Sequence, residues 1–242
     1  MTTKLSVNVN KLATLRNSRG GNTPDVLKTT LDIISYGAQG ITVHPRPDER
    51  HIRRTDVYDI AKNIAVEFNV EGYPSKEYLD LVLDVKPAQC TLVPDPPEVL
   101  TSNAGWLIEP NLEFLTDVIS KLHANNIRVS LFVDPHTLSA QDIRLLAQTK
   151  TDRVELYTES YATHYGTSKG DEILYLFKNT AQAIYDLGID LNAGHDLNLL
   201  NLRTLIQEIP MIKEVSIGHA LICDALYYGL KDTIARYLDS LN

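Results

Sequence analysis

Hydrophobic residues recur along the chain in eight short runs that are typical of buried β-strands. Most of these runs are continuously apolar, which indicates strands covered on both faces, as in a parallel sheet. The predicted strands are Leu5–Val9, Gly40–His44, Phe68–Glu71, Ala88–Val93, Arg128–Val133, Arg153–Tyr157, Asp190–Ala193 and Glu214–Ile217. Each run is followed by a segment with helical spacing of apolar positions.

The first predicted helix has Thr23 as its cap and Pro24 in its first turn, and it runs to Tyr36, just before Gly37. The other predicted helices are Thr55–Val66, Lys76–Asp84, Leu112–Asn125, Ser139–Gln148, Gly170–Leu187, Asn198–Glu208 and Ala220–Leu241. Eight strand–helix units with short connections favour a closed TIM (β/α)8 barrel over an open sheet. We therefore predict one α/β domain over residues 1–242.

Two segments are longer than a barrel connection needs, so they are predicted insertions. Pro94–Pro110 follows the fourth strand and Thr158–Gly170 follows the sixth. Long loops in compact domains are often lids or binding loops, although either segment could also be an idle surface excursion. No Gly-x-Gly-x-x-Gly motif follows the first strand, so a dinucleotide-binding fold has little support.

Composition and charge limit the classes of molecule that the protein is expected to bind. The net charge of −8 argues against general nucleic-acid binding, which needs a basic surface, but leaves room for a local anion site. No stretch approaches the roughly 20 apolar residues of a membrane-spanning helix, and the N-terminus lacks the pattern of a signal peptide. Cys90 and Cys223 have no metal-ligand spacing. We expect a cytoplasmic protein with reduced thiols.

Polar and titratable residues stand at the carboxyl ends of the predicted strands, where TIM barrels build their active sites. These residues are Asn8, His44, Glu71, Glu155, His195 and His219. Each has a structural alternative: Glu71 could be an ion-paired rim residue, and His44 could cap its strand. Glu155 is the only charge in its strand, so it points either into the barrel or outward to a helix partner.

Basic residues and a glycine near the same rim indicate anion binding. Gly218 stands between a strand and a helix, where it permits close backbone approach and free helix amides favour an anion. Basic residues also follow strands one and two: Arg16 with Arg19, and Arg46 with Arg50 and His51. Two anion sites would suit two phosphorylated substrates, although the arginines could equally form solvated faces.

Four segments together resemble the signature segments of the pyridoxine 5'-phosphate synthase family. They are Ala13–Gly20 (ATLRNSRG), Gly40–His44 (GITVH), Asn192–His195 (NAGH) and Ile217–Ala220 (IGHA). Their order and spacing match the family from about Leu5 to Leu230, nearly the whole chain. The resemblance implies a transferase-class enzyme that condenses 3-amino-2-oxopropyl phosphate with 1-deoxy-D-xylulose 5-phosphate. The products would be pyridoxine 5'-phosphate, inorganic phosphate and water.

The resemblance also implies a role for each matching residue. His44 and Glu71 would accept protons, His195 would donate one, and Glu155 would stabilise transition states. The amino-ketone phosphate would be bound by Asn8, Arg19, Gly218 and His219, and the deoxyxylulose phosphate by Arg46, His51 and Thr101. The chemistry requires no metal and no redox cofactor, because the substrate ketones and the leaving phosphate supply the reactivity. A homo-octamer assembled from dimers is the implied assembly.

The chain departs from the family pattern at two places in the predicted site. Asn10 and Lys11 stand where many members have Asp-His, a pair that contacts the sugar phosphate, and Lys11 could supply charge to that phosphate directly. Asp196 follows His195 where a glycine is expected, at a position associated with amino-ketone binding. Both changes bear on substrate affinity more than on reaction type.

The amino-acid sequence leaves three other functions open. A Schiff-base aldolase or isomerase of phosphosugars would need a lysine at a strand end, whereas Lys11 is predicted to lie in a loop. A metal-dependent hydrolase could use His44, His195, His219 and Glu71, but lacks a His-x-His at strand one. A non-catalytic barrel could bind phosphosugars without turnover.

Overall fold

Eight parallel strands close into a barrel in the computed structural model, which describes residues 2–95 and 104–242. The strands are β1 (Lys4–Asn8), β2 (Gly40–Val43), β3 (Glu67–Gly72), β4 (Gln89–Leu92), β5 (Arg128–Val133), β6 (Arg153–Tyr157), β7 (Asp190–Gly194) and β8 (Ile212–Ile217). Each strand pairs in parallel with the next, and β1 pairs with β8. The predicted eight-stranded barrel is confirmed.

Helices surround the barrel. In the described part of the chain they are α1 (Asn10–Asn17), α2 (Val26–Ser35), α3 (Arg54–Asn63), α4 (Lys76–Val85), α5 (Ile108–His123), α6 (Ala140–Thr149), α7 (Glu159–His164), α8 (Ser168–Tyr185), α9 (Leu202–Glu208), α10 (His219–Tyr228) and α11 (Leu230–Ser240). None of these is long and apolar enough to cross a membrane.

The start of the chain differs from the prediction in two ways. Helix α1 was not predicted, and Lys11 lies in this helix rather than in a loop. The next helix is capped by Asp25, whose side chain accepts a 2.9 Å hydrogen bond from the Lys28 amide, and it begins at Val26. Thr23 is therefore not the cap, because the carboxylate two residues later satisfies the free amide of the first turn.

Three further predicted segments differ from the structure in where their helices begin or end. The single helix predicted over Ala220–Leu241 is two helices, since Gly229 adopts a φ of 75° that an α-helix cannot continue through. The predicted insertion Thr158–Gly170 contains α7 and the start of α8. In the insertion Pro94–Pro110, α5 begins at Ile108, and residues 96–103 lie outside the described chain.

The strands separate two kinds of side chain because alternate residues point to opposite faces. One set is apolar and fully buried, as in Val7, Ile41 and Val70, and forms the main core with the helices. The other set faces the barrel interior and is polar at mid-height: Ser6, Thr42, Asn69, Thr91 and Glu155. The Thr91 hydroxyl lies 3.3 Å from Glu155 Oε2, which joins β4 to the non-adjacent β6 across this interior.

A buried charge cluster lies toward the amino ends of the strands, opposite the rim that was predicted to be functional. Glu67 pairs with Arg128 and with Arg153, whose Nη1 lies 3.3 Å from Glu67 Oε1. Burial and then the negative charge of Glu67 raise the pKa of Glu214 to about 8. At neutral pH Glu214 is therefore mainly a neutral acid that donates a hydrogen bond to the ionised Glu67.

Candidate active site

A cavity of about 660 Å3 opens at the carboxyl ends of the strands. It brings together most of the residues that the sequence singled out: Asn8, Asn10, Lys11, His44, Arg46, His51, Glu71, Glu155, His195, Asp196, Gly218 and His219. Arg19 does not line it and is exposed just beyond α1. Thr101 lies outside the described residues. The rule that parallel strands gather their carboxyl ends at one rim explains this convergence.

His44 and Glu71 face each other at the ends of β2 and β3, with His44 Nδ1 3.7 Å from Glu71 Oε2. Burial, and then the positive charge of Arg46, lowers the pKa of His44 to about 3. Burial, and then the charge of Glu155, raises the pKa of Glu71 well above its usual value. At neutral pH the imidazole is therefore uncharged, and the carboxyl keeps its proton to a higher pH than an exposed glutamic acid does. Two groups able to exchange protons meet here.

Glu155 points into the barrel, which settles the inward or outward alternative left open by the sequence. Its side chain is 3% exposed and reaches the Thr91 hydroxyl. Burial raises the pKa of Glu155 to about 7, while the Thr91 hydrogen bond acts against that shift. Gly194 on the adjacent β7 makes room for this carboxyl, since a methyl group at Gly194 would collide with Glu155 Oε1.

His195 and Asp196 form the turn that ends β7. Both adopt left-handed backbone conformations, with φ values of 85° and 61°, which non-glycine residues rarely occupy. His195 Nδ1 lies 2.8 Å from Asp196 Oδ2. The Tyr157 ring meets the imidazole edge to face, with centroids 4.8 Å apart. The hydrogen bond to His195 is the main cause that lowers the pKa of Asp196.

The side of the cavity formed by the residues that follow β2 is basic. Arg46 is 6% exposed, and its Nη2 lies 3.4 Å from Asp95 Oδ2. Burial, followed by the charges of Arg46 and Lys11, lowers the pKa of His51 to about 4. Burial, helped by the cationic side chains, thus keeps this imidazole neutral at neutral pH. This concentration of positive charge is suited to a phosphate group.

The first residues of α10 line the cavity where β8 passes into this helix. Gly218 packs against Asn8 so closely that an added Cβ would lie 3.0 Å from Asn8 Cβ and 3.1 Å from Asn8 O. His219 is the first residue of α10, so the amides of the first turn have no carbonyl of an earlier turn to bind. These amides and the helix dipole favour an anion.

Arg16 does not belong to an anion site, contrary to its grouping with Arg19 in the sequence. It is 2% exposed, and its guanidinium makes two hydrogen bonds to Asp56, of 2.5 and 2.9 Å. Its Nη2 also donates to the His51 carbonyl at 3.1 Å. The side chain therefore fixes the loop that carries His51 against α3.

Two residues near the site were missed by the sequence analysis. Tyr157 ends β6 and contacts His195, and Asp95 follows β4 and pairs with Arg46. The strand-end rule could have found both. No group of three or more His, Cys, Asp and Glu side chains in residues 2–95 and 104–242 is placed to hold a metal ion.

Solved structures similar to this chain are TIM barrels that are distant in sequence. One is 3-keto-L-gulonate-6-phosphate decarboxylase from Vibrio cholerae, with a TM-score of 0.67 and 10% identity, covering 100% of this chain and 98% of that one. Another is phosphoribosyl anthranilate isomerase from Thermotoga maritima, with a TM-score of 0.63 and 16% identity over 99% of this chain and 98% of that one. At such identities the similarity concerns the fold alone.

Sequence relatives are far closer. The chain is 57% identical over 239 residues to pyridoxine 5'-phosphate synthase of Bacteroides fragilis, and 54% identical over 240 residues to that of Parabacteroides distasonis. In both cases 99% of each chain is covered. Residues 5–242 also match the family model described as pyridoxal phosphate biosynthesis protein PdxJ. By this match and these identities, the chain belongs to the PdxJ family of pyridoxine 5'-phosphate synthases.

Proposed function

We propose that this protein is a pyridoxine 5'-phosphate synthase that condenses 3-amino-2-oxopropyl phosphate with 1-deoxy-D-xylulose 5-phosphate. Inorganic phosphate and water leave as the pyridine ring closes, so the enzyme is of the transferase class. The observation that carries this proposal is the convergence of His44, Glu71, Glu155 and His195 on one cavity. Whole-chain identity above 50% to relatives of that name supports it.

The differing protonation of these groups suits a reaction made of successive proton transfers. Imine formation between the amine and the ketone, loss of phosphate, and an aldol-type closure each move protons. Neutral His44 is ready to accept a proton. Glu71, whose pKa is raised by burial, accepts a proton and returns it to a reacting oxygen or nitrogen. His195 serves as the proton donor on the other side of the same rim.

Glu155 lies at mid-height below the reacting atoms, and its pKa of about 7 lets it change charge near neutral pH. We assign it the stabilisation of positive charge that develops on the imine nitrogen. A carboxylate in a water-poor interior interacts strongly with such charge. The nearby Thr91 hydroxyl holds the carboxyl in place.

Each phosphate has its own binding region in this proposal. The deoxyxylulose phosphate lies against Arg46 and His51, with Asn10, Lys11 and Thr101 contributing. The amino-ketone phosphate lies at the start of α10, against Gly218 and His219, with Asn8 and Arg19 contributing, and the Asp196 carboxylate is engaged by His195 instead. Asn10 also has a positioning role, since its Oδ1 accepts a 3.0 Å hydrogen bond from the His44 amide.

We further propose a cytoplasmic homo-oligomer, an octamer by resemblance to the family. Leu226 and Tyr227 on α10 are 78% and 85% exposed, and neighbouring apolar side chains of this size are suited to contact with another copy. Light scattering of the purified protein measures the assembly directly.

A turnover assay tests the proposed function. The protein is mixed with deoxyxylulose phosphate and with the amino-ketone phosphate, which is generated in place because it is unstable. Pyridoxine phosphate and inorganic phosphate are measured together, with each substrate omitted in turn as the control. Formation of both products only when both substrates are present is the expected result. Binding of the sugar phosphate without turnover would instead support the non-catalytic barrel.

A further inference from the structure

The turn that carries His195 is held in an unusual backbone conformation by several contacts. The Thr158 hydroxyl lies 2.8 Å from the Gly194 carbonyl and 2.5 Å from that of His195, and Asn201 Nδ2 donates to the Asp196 carbonyl at 3.3 Å. Two successive left-handed residues persist only where surrounding groups fix them. The rigid turn brings two side chains that are adjacent in sequence into contact with each other.

The hydrogen bond between the His195 and Asp196 side chains has a defined donor and a defined acceptor. An ionised carboxylate has no proton to give, so in the 2.8 Å pair the imidazole Nδ1 must be the donor and Asp196 Oδ2 the acceptor. The imidazole Nδ1 then carries a hydrogen in both the neutral and the charged ring. Nε2 is consequently the ring nitrogen that gains or loses a proton.

We propose that Asp196 is a positioning residue that fixes the tautomer and orientation of His195, so that Nε2 exchanges protons with the substrate. The inference rests on the proposed function, in which His195 is the proton donor. It gives the Asp196 carboxylate a different role from direct contact with the amino-ketone phosphate. An anionic group beside a phosphate is unfavourable unless its charge is engaged elsewhere, and here it is engaged by Nδ1.

Two other features support a positioning role. The Tyr157 ring packs edge to face against the imidazole, so that the aromatic contact and the carboxylate together restrict the ring. The side chain of His195 is 23% exposed and that of Asp196 43% exposed, so Asp196 lies on the outer side of the pair. A histidine oriented by a carboxylate at one nitrogen and reactive at the other is a recurring arrangement in acid–base catalysis.

Two substitutions isolate the carboxylate, because asparagine and glycine are the residues that best tolerate a left-handed backbone. Asp196→Asn keeps the shape and removes the charge, and Asp196→Gly removes the side chain. We expect kcat to fall about 10-fold or more in both, as for loss of an orienting partner, with KM for both substrates nearly unchanged. Asp171→Asn, on the exposed start of α8, is the matched control and should leave kcat unchanged.

The tautomer can be measured without any turnover. Two-dimensional 15N NMR of the unaltered protein, at a pH where the ring is neutral, should show His195 with its hydrogen on Nδ1. His123 is an internal reference, since its Nε2 lies 2.7 Å from Asp152 Oδ2 and should show the opposite tautomer. In Asp196→Gly the His195 preference should be lost.

A neutral His195 with its hydrogen on Nε2 would overturn the proposal, and so would kcat unchanged in both variants. A rise in KM for the amino-ketone phosphate with kcat unchanged would also overturn it and assign the carboxylate to substrate binding. Absence of turnover in the unaltered protein would contradict the proposed function instead, and the tautomer measurement would still decide whether Asp196 orients His195.

Discussion

His44 Nδ1 lies 3.7 Å from Glu71 Oε2, yet the two side chains do not form an ion pair at neutral pH. Burial lowers the pKa of the imidazole to about 3, so the ring is uncharged at neutral pH, and burial raises the pKa of the Glu71 carboxyl. An uncharged imidazole can accept a proton, and a carboxyl of raised pKa can both give and accept one. The two side chains are therefore suited to passing protons to and from a substrate placed between them.

Glu71→Gln should abolish turnover while leaving binding of deoxyxylulose phosphate unchanged. Glutamine keeps the shape of the Glu71 side chain and its capacity for hydrogen bonds but cannot transfer a proton. We expect kcat to fall by about 100-fold or more, the usual contribution of a positioned acid–base group. Product formation gives kcat, and isothermal calorimetry gives the dissociation constant of the sugar phosphate.

Glu113→Gln, on the exposed face of α5, is the control for this substitution and should behave as the unaltered protein. Full activity of Glu71→Gln would remove the acid–base role from this residue. A large loss of sugar-phosphate affinity would show that the carboxyl binds substrate rather than moving protons.

Arg46→Ala should mainly weaken binding of the sugar phosphate. A buried guanidinium that meets a phosphate makes charge-assisted hydrogen bonds worth about 1.5–3 kcal/mol, so we expect KM for deoxyxylulose phosphate to rise about 10-fold or more. Steady-state kinetics with the amino-ketone phosphate held at saturation measures this change. Arg144→Ala on the exposed surface of α6 is the control. An unchanged KM would exclude Arg46 from the phosphate site.

Arg16→Met should destabilise the fold by about 3 kcal/mol, since it leaves the largely buried Asp56 carboxylate without its guanidinium partner. The matched control is Lys28→Met, which breaks the exposed Lys28–Asp32 pair and should cost less than about 1 kcal/mol. Urea denaturation followed by circular dichroism gives both values. Equal losses would mean that burial does not strengthen the Arg16–Asp56 interaction.

Glu214 should contribute a loss of stability as pH rises toward 8. The folded protein keeps the Glu214 proton up to about pH 8, whereas the unfolded chain releases it near the usual pKa of 4.5. The folded state therefore binds more protons in this interval, and the associated stability is lost as pH passes through the folded pKa. We expect the Glu214 contribution to fall by about 3 kcal/mol between pH 5 and pH 8. His44 and His51, whose folded-state pKa values are lowered, contribute in the opposite direction up to about pH 6.5, so the Glu214 effect is obtained by comparison with a variant.

Glu214→Gln removes this titration while keeping a donor for Glu67, so its free energy of unfolding at pH 8, relative to that at pH 5, should be higher than in the unaltered protein. Glu172→Gln, on the exposed side of α8, should retain the slope of the unaltered protein. Denaturation series at several pH values measure the slopes. The same slope in Glu214→Gln as in the unaltered protein would contradict the assignment.

The barrel could be predicted from the sequence because its strands are short, apolar and separated by regular helical patterns. The helix boundaries that were predicted wrongly depend on which of several neighbouring residues caps or ends the helix. Asp25 rather than Thr23 caps α2, and Gly229 divides what a continuous apolar pattern presents as one helix. Helix α1 was missed because its eight residues follow β1 with only Val9 between them.

Much of the candidate site could also be predicted, since the carboxyl ends of parallel strands must meet at one rim. His44, Glu71 and His195 were found in this way. The role of Arg16 could not be found, because its partner Asp56 is 40 residues away and only the folded chain brings them together. The raised pKa of Glu71 likewise depends on burial, which the residue type does not reveal.

Apolar outer and polar inner side chains alternate along each strand, so a residue that stabilises the barrel stands next to one that can take part in chemistry. Val43 packs in the apolar core while His44, the next residue, faces the cavity. Val154 and Glu155 repeat this division on β6. Substitution of the inner residues, by design or by natural selection, could therefore change the chemistry while the outer residues keep the barrel closed.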